Sequence, residues 1–241
     1  MAMTAAVRPL APADLEVSAR LHGEALDMEF LARCGPGFLR AYHRAWLDSP
    51  DCLALAALDD EGGVVGVLLG SLHPAAHYRA MVRRHGASLA LWLLGRSVAH
   101  PLLARELVVT RAYRYLRGLT RMLAGSLRAP RSFRGRGGAA ALDDTSSSAV
   151  PVPGERSDPA AIAEVTHVMV RADARGSGVG RALLERAQEE ARRAGLGELV
   201  LVTPPDLAAI GFYEHLGWQR VGELTSQSGE QFFRYRFDLR F

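Results

Sequence analysis

The sequence predicts an α/β protein: one mixed β-sheet flanked by helices. Three observations carry this. Strand-like and helix-like segments alternate along the 241 residues, and 49% of the chain is hydrophobic, enough for one large core. The apolar run Val168–Met169–Val170 passes through an Arg/Gly-rich turn directly into a helical pattern from Arg181, the strand–turn–helix unit of layered α/β folds. A second such unit follows it, and two further strands close the chain.

In chain order, Val7 to Leu10 read as a first strand. Pro12–Ala13–Asp14 opens a helix with Leu15, Ala19, Leu21 and Leu26 on its apolar side. Phe30 to Trp46 is a second helical region, interrupted near Gly35–Pro36–Gly37. Cys52 to Leu58 and Val64 to Leu72 are strands joined by the hairpin turn Asp59–Asp60–Glu61–Gly62–Gly63. Residues 73 to about 125 read as helical. Residues 126 to 160, rich in Gly, Ser and Pro, read as a flexible linker. Ile162 to Val170 is a strand, and Arg181 to Ala194 a helix stopped by Gly195. Glu198 to Val202 is the next strand and Leu207 to Leu216 the next helix. Gln219 to Glu223 and Phe232 to Leu239 are the closing strands.

The turn Arg175–Gly176–Ser177–Gly178–Val179–Gly180 holds the most chemical information. Its glycines permit unusual backbone angles and close ligand approach. The N–H groups of residues 176 to 181 precede the first helical hydrogen bonds, at the positive end of the helix dipole, which suits an anion such as phosphate. A Walker loop requires a lysine after its last glycine, and the chain contains none. A dinucleotide fingerprint requires a third glycine where Arg181 stands.

The remaining pattern, Arg175-x-x-Gly178-x-Gly180, resembles the acetyl-coenzyme A pyrophosphate loop of the GNAT N-acetyltransferase superfamily. The stretch Asp206 to Trp218, with Ala209, Tyr213–Glu214 and Leu216–Gly217, resembles that family's second signature. The likeness spans about Glu164 to Val221. Ala172 stands where the family usually has proline, and Asp206 where it usually has asparagine. An ionised Asp206 can only accept hydrogen bonds.

The resemblance implies a GNAT fold, with a helical insertion between the third and fourth strands, and acetyl-CoA as co-substrate without a metal. The pantetheine arm would pair with the backbone of Val168, Met169 and Val170, between strands that splay. The pyrophosphate would sit on the N–H groups of Gly176, Ser177, Gly178, Val179 and Gly180, with Arg175 or Arg181 adding charge and Asp206 nearby. Tyr213 would protonate the leaving thiolate, and Glu164 would act as base through a water. His167 lies three residues from Glu164, so regular strand alternation turns it to the other face unless a bulge intervenes.

The net charge of +3 conceals an asymmetry: thirteen of the 29 basic residues, all arginine, lie between His73 and Gly138, against the single acid Glu106. From Arg105 to Leu123, Val108, Ala112, Leu116 and Leu119 share one helical face, opposite Arg111, Arg114, Arg117 and Arg121. Such a helix packs on the domain or on a second copy of the chain, or attaches to an anionic membrane with help from Trp92 and Leu93. Nucleic-acid binding ranks below both. The division expected is 1–72 and 161–241 as the two halves of the GNAT domain, 73–125 as the basic insertion and 126–160 as the linker. The acceptor that the resemblance implies is a small-molecule or peptide amine. Cys34 and Cys52 suit neither a disulfide framework nor a metal site. Met1 to Val7 lacks the features of a signal peptide, so a cytoplasmic location is expected. Exclusive use of arginine, with much alanine, points to a GC-rich bacterial genome.

Overall fold

The computed structural model describes residues 5–27, 30–99, 162–205, 209–225, 229 and 231–240. The elements run β1 (Ala6–Pro9), α1 (Leu15–Ala25), α2 (Phe30–Arg33), α3 (Pro36–Leu47), β2 (Cys52–Leu58), β3 (Val64–Ser71), α4 (Pro74–Ala99), β4 (Ile162–Val170), α5 (Val179–Arg193), β5 (Glu198–Thr203), α6 (Ala209–His215), β6 (Gln219–Thr225) and β7 (Gln231–Asp238). The strands form one sheet in the order β1-β2-β3-β4-β5-β7-β6. Every pairing is antiparallel except β4 with β5. The strands on either side of the insertion, β3 and β4, are neighbours, as expected.

Two cores sandwich the sheet. On one face α5 buries Leu183, Leu184, Ala187 and Ala191 against Val65, Val165 and Leu201, with Tyr213, Trp218 and Tyr235 completing the cluster. Those α5 positions recur at helical spacing, and burying each leucine stabilises the fold by about 1.5–3 kcal/mol. Gly66 lets α5 approach: a Cβ there would lie 2.6 Å from Val179 and 3.1 Å from Leu183. On the other face α1, α3 and α4 bury Leu21, Phe38, Tyr42, Trp46 and Met81 against Val67, Leu69 and Met169.

The start of the insertion therefore belongs to the second core. His77 and Met81 are buried, and Tyr78, Leu89 and Leu93 pack against the same cluster. A Cβ on Gly37 would lie 2.7 Å from the Trp92 ring, so Trp92 covers the first turn of α3. Leu93 thus faces protein, and Trp92 keeps less than half of its surface in contact with solvent. Leu91 and Leu94 are the more exposed, at 69% and 58%. The amphipathic stretch 105–123 and the linker 126–160 lie outside the described residues. Among the described residues no helix is long and apolar enough to cross a membrane.

Candidate active site

The site begins with one extra residue in β4. Leu68 pairs with Val168 and Leu69 with His167, but Gly70 pairs with Val165, so Thr166 is the surplus residue of a β-bulge. On its other edge β4 pairs with β5 from Ile162–Glu198 to Val165–Leu201, where the ladder ends. β4 nevertheless continues to Val170 and β5 to Thr203. A bulge bends its strand and raises the local twist, and the surplus residue falls where the β4–β5 ladder ends. Beyond it, the bond from Arg171 N–H to the Val65 carbonyl fixes the phase of the β3–β4 ladder. Met169 then turns its backbone groups to β3, while Val168 and Val170 turn theirs to the open edge. A peptide-like arm laid in the cleft would meet those groups.

The bulge also changes which side chains share a face. Ala163 and Val165 point into the α5–α6 core, and beyond the bulge Val168 and Val170 do the same. Glu164 and His167 consequently both point to the face covered by α1, α3 and α4. The expectation that His167 faces away is corrected: strict alternation fails where Thr166 is inserted.

Glu164 does not lie at a solvated strand end. It is 8% exposed, and burial pushes its carboxyl up to about 7, with the Arg234 charge pulling the other way. The Tyr78 hydroxyl, whose own acidity is weakened by burial and by the Glu164 charge, lies 3.4 Å from Thr166 Oγ1. The insertion thus delivers Tyr78 to the bulge, a placement with no signal in the sequence pattern.

Behind the bulge runs a buried polar chain. Ser18 Oγ lies 2.7 Å from His43 Nδ1, and His43 Nε2 lies 3.0 Å from His22 Nδ1. The His22 ring sits 4.7 Å from that of His167, whose Nε2 lies 3.4 Å from the Tyr42 hydroxyl. Burial, with the nearby His22, pushes His43 down to about 3, so it is neutral at ordinary pH and joins its neighbours through one N–H and one lone pair. These residues, spaced along α1 and α3, gave no motif.

The glycine turn sets a row of backbone donors beside the parted ends of β4 and β5. Gly176 and Gly178 have φ of +76° and +95°, and Gly178 is the N-cap of α5, which starts two residues earlier than expected. The first helical bond runs from Ala182 N–H to the Gly178 carbonyl. Among the described residues no backbone carbonyl takes the N–H groups of Gly176, Ser177, Gly178, Val179, Gly180 or Arg181. These donors suit a pyrophosphate, and the dipole of a 15-residue helix favours its charge. Ser177 Oγ ties the turn to the Ala174 carbonyl at 2.6 Å, and Arg175 Nε holds the Val170 carbonyl at 3.2 Å. Arg181 pairs with Glu185 at 2.8 Å, both more than half exposed, a weak and replaceable tie. Gly180 serves packing as well as the cradle, since a Cβ there would lie 3.2 Å from Phe212.

Tyr213 lies on α6, 8% exposed among Phe212, Trp218 and Tyr235. Burial pushes its phenol up to about 12, so it keeps its proton at ordinary pH. Asp206 lies outside the described residues. Among the described residues no three His, Cys, Asp or Glu side chains come together as a metal site.

The model of the Acetyltransferase (GNAT) family matches residues 147–218, a stretch that contains β4, the cradle and α6. No curated protein matches the chain in sequence. Among solved structures it is similar to an N-acetyltransferase from Staphylococcus aureus Mu50, with 15% identity, 98% of this chain and 99% of that one covered, and a TM-score of 0.53. It is also similar to Ard1 from Thermoplasma volcanium, with 14% identity, 97% of each chain covered and a TM-score of 0.50. A third is the ribosomal-protein-S18-alanine N-acetyltransferase from Escherichia coli, with 12% identity, 99% and 96% covered and a TM-score of 0.50. At these identities the likeness is one of fold. With the bulged β4, the parted strands and the glycine turn in place, the chain has the fold of solved acetyltransferases, and its residues 147–218 match the acetyltransferase (GNAT) family.

Proposed function

We propose that the protein is an acetyl-CoA-dependent N-acetyltransferase that transfers the acetyl group directly to a primary amine. The observation that carries this reading is the end of the β4–β5 ladder at Val165–Leu201 beside the unpaired N–H groups opening α5. A cleft with backbone donors and acceptors along one wall and an anion cradle at its mouth fits an amide-bearing arm ending in a pyrophosphate.

In this reading the acceptor arrives as an ammonium ion, with a pKa near ~10. Glu164, held up to about 7, takes one proton, directly or through a water, and is a stronger base than an exposed carboxylate. The amine nitrogen attacks the acetyl carbonyl carbon. The C–N bond forms, the C–S bond breaks with its electron pair leaving on sulfur, and the second proton of the nitrogen passes to the thiolate, directly or through water, giving the neutral amide and the free thiol. The thiolate of a thiol with a pKa of ~8.5 will not take the proton of Tyr213 outright, so Tyr213 donates a hydrogen bond to the departing sulfur. The carbonyl oxygen is stabilised by backbone N–H groups of the open β4 edge. Neither Cys34 nor Cys52 lies on β4, β5 or the cradle, so the transfer uses no acyl-cysteine. Calorimetry with acetyl-CoA and thiol release with a panel of amines test the proposal. Absence of acetyl-CoA binding would overturn the proposal, and binding without turnover of any amine would replace it with a non-enzymatic acyl-CoA-binding role.

A further inference from the structure

The face of the sheet that carries Glu164 is covered over β2, β3 and β4 by α1, α3 and α4. Along β7, Phe233, Tyr235 and Phe237 pack into the opposite, α5–α6 core. Arg234 and Arg236, which alternate with them, therefore point to the Glu164 face. The registers set the distances. Glu164, Val200 and Arg236 form one row across β4, β5 and β7, and Val202 with Arg234 forms the row two residues nearer the open end of the cleft. Two strand spacings of about 4.8 Å separate β4 from β7. Arg236 is drawn to the carboxylate of Glu198, 3.8 Å away. Arg234 is the cation whose field reaches Glu164. It is partly exposed, as is Val202 between it and the parted strands.

This arrangement discriminates among amines. A simple amine brings an ammonium ion toward Glu164 within the field of Arg234, and like charge repels it. An amine whose molecule also carries an anion places opposite charges on both residues at once. Arginine presents a planar fork that matches the paired oxygens of a carboxylate or phosphate.

We propose that Arg234 is an acceptor-binding residue that holds a carboxylate or phosphate carried by the acceptor close to its amine, so that the substrate class is amino acids and related amine-bearing anions. This rests on the transferase reading above, with Glu164 at the amine. The test measures thiol release from acetyl-CoA with two matched pairs: alanine against alaninamide, and O-phosphoethanolamine against ethanolamine. The anionic member of at least one pair should be preferred by ~10-fold or more in kcat/KM, mainly through KM, the size expected of a charge-assisted contact. Arg234→Gln should bring that ratio to within about twofold of one, with KM for acetyl-CoA unchanged, and Arg234→Lys should restore part of the preference. The preferred pair tells carboxylate from phosphate. Equal use within both pairs, or a ratio that survives Arg234→Gln, overturns the proposal. Calorimetry of alanine and O-phosphoethanolamine with the CoA-loaded protein asks the same question without turnover. If CoA binds but neither anionic amine does, Arg234 is not the anchor; if CoA itself fails to bind, the transferase reading falls instead.

Discussion

A Cβ on Gly70 would stand 2.5 Å from the carbonyl oxygen of Glu164. That oxygen belongs to backbone displaced toward β3 where β4 bulges, and it cannot retreat without undoing the bulge. The Gly70 carbonyl is in turn held by Trp46 Nε1 at 2.9 Å, which fixes β3 from the other side. Gly70→Ala should therefore force the two strands apart at the point where the cleft opens. We expect a loss of about 1–3 kcal/mol of stability by denaturant unfolding, the range for overpacking a buried site. Turnover should fall together with it, because the carbonyl that moves belongs to the candidate base. Unchanged stability and turnover would show that the bulge is not held by this contact.

Glu164 links activity and stability with opposite signs. As the base it must be ionised, so kcat/KM should rise with pH and level off above about 7. Glu164→Gln should remove that acidic limb and lower turnover by roughly 10²–10⁴-fold. The folded carboxyl titrates at about 7 against 4.5 for the ordinary group, so the folded state binds its proton more tightly than the unfolded state. Its penalty is absent below 4.5, grows between 4.5 and 7 and is complete above 7, where it is on the order of 3 kcal/mol. Glu164→Gln should then be the more stable protein at pH 8, measured by urea unfolding. A variant that is inactive and also less stable at pH 8 would mean that the carboxylate is structural.

His43 acts in the other direction. Its pKa falls from 6.5 to about 3 on folding, so the stability it contributes is full above 6.5 and is lost as pH falls toward 3. At pH 4 the loss is on the order of 3 kcal/mol. His77, pushed down to about 4, adds a loss of the same sign. Acid unfolding should take up protons on these buried imidazoles. His43→Gln should reduce that uptake between pH 6 and 4 by about one proton, read from the slope of unfolding free energy against pH. An unchanged slope would show that His43 is already protonated in the folded chain.

Gly66 tests the cradle without touching a ligand. A side chain there would meet Val179 at the start of α5 and Leu183 one turn on. Gly66→Val should push the helix N-terminus off the sheet and raise KM for acetyl-CoA by ~10-fold or more, because misplaced donors lose their charge-assisted bonds. The KM for the amine should move less. Equal change in both constants would point to general unfolding, which a thermal melt would reveal.

Tyr213→Phe removes only the hydroxyl. If Tyr213 donates to the departing sulfur, kcat should fall by ~10- to 10³-fold with acetyl-CoA affinity unchanged. Turnover within about twofold of the parent would assign the ring to packing with Trp218 and Tyr235 alone.

The alternation of strands and helices, the hairpin between β2 and β3, and the glycine turn opening α5 were legible in the sequence. Each depends on interactions within a few residues: periodicity, turn chemistry and the positive φ of Gly176 and Gly178 that glycine tolerates cheaply. The tertiary structure decided what depends on contacts between distant segments. The bulge at Thr166 is a mismatch in count between β3 and β4, strands some ninety residues apart in the chain, and no local pattern records it. Through that mismatch His167 came to share a face with Glu164. Packing likewise turned the first part of the insertion into core, placing Tyr78 beside Thr166. The order β5-β7-β6 brought Arg234 within reach of Glu164. Glu164 is an ordinary carboxylate in the sequence. It becomes a carboxyl that titrates at about 7 only when the packed fold removes it from water, because desolvation belongs to the assembled surroundings and not to the residue.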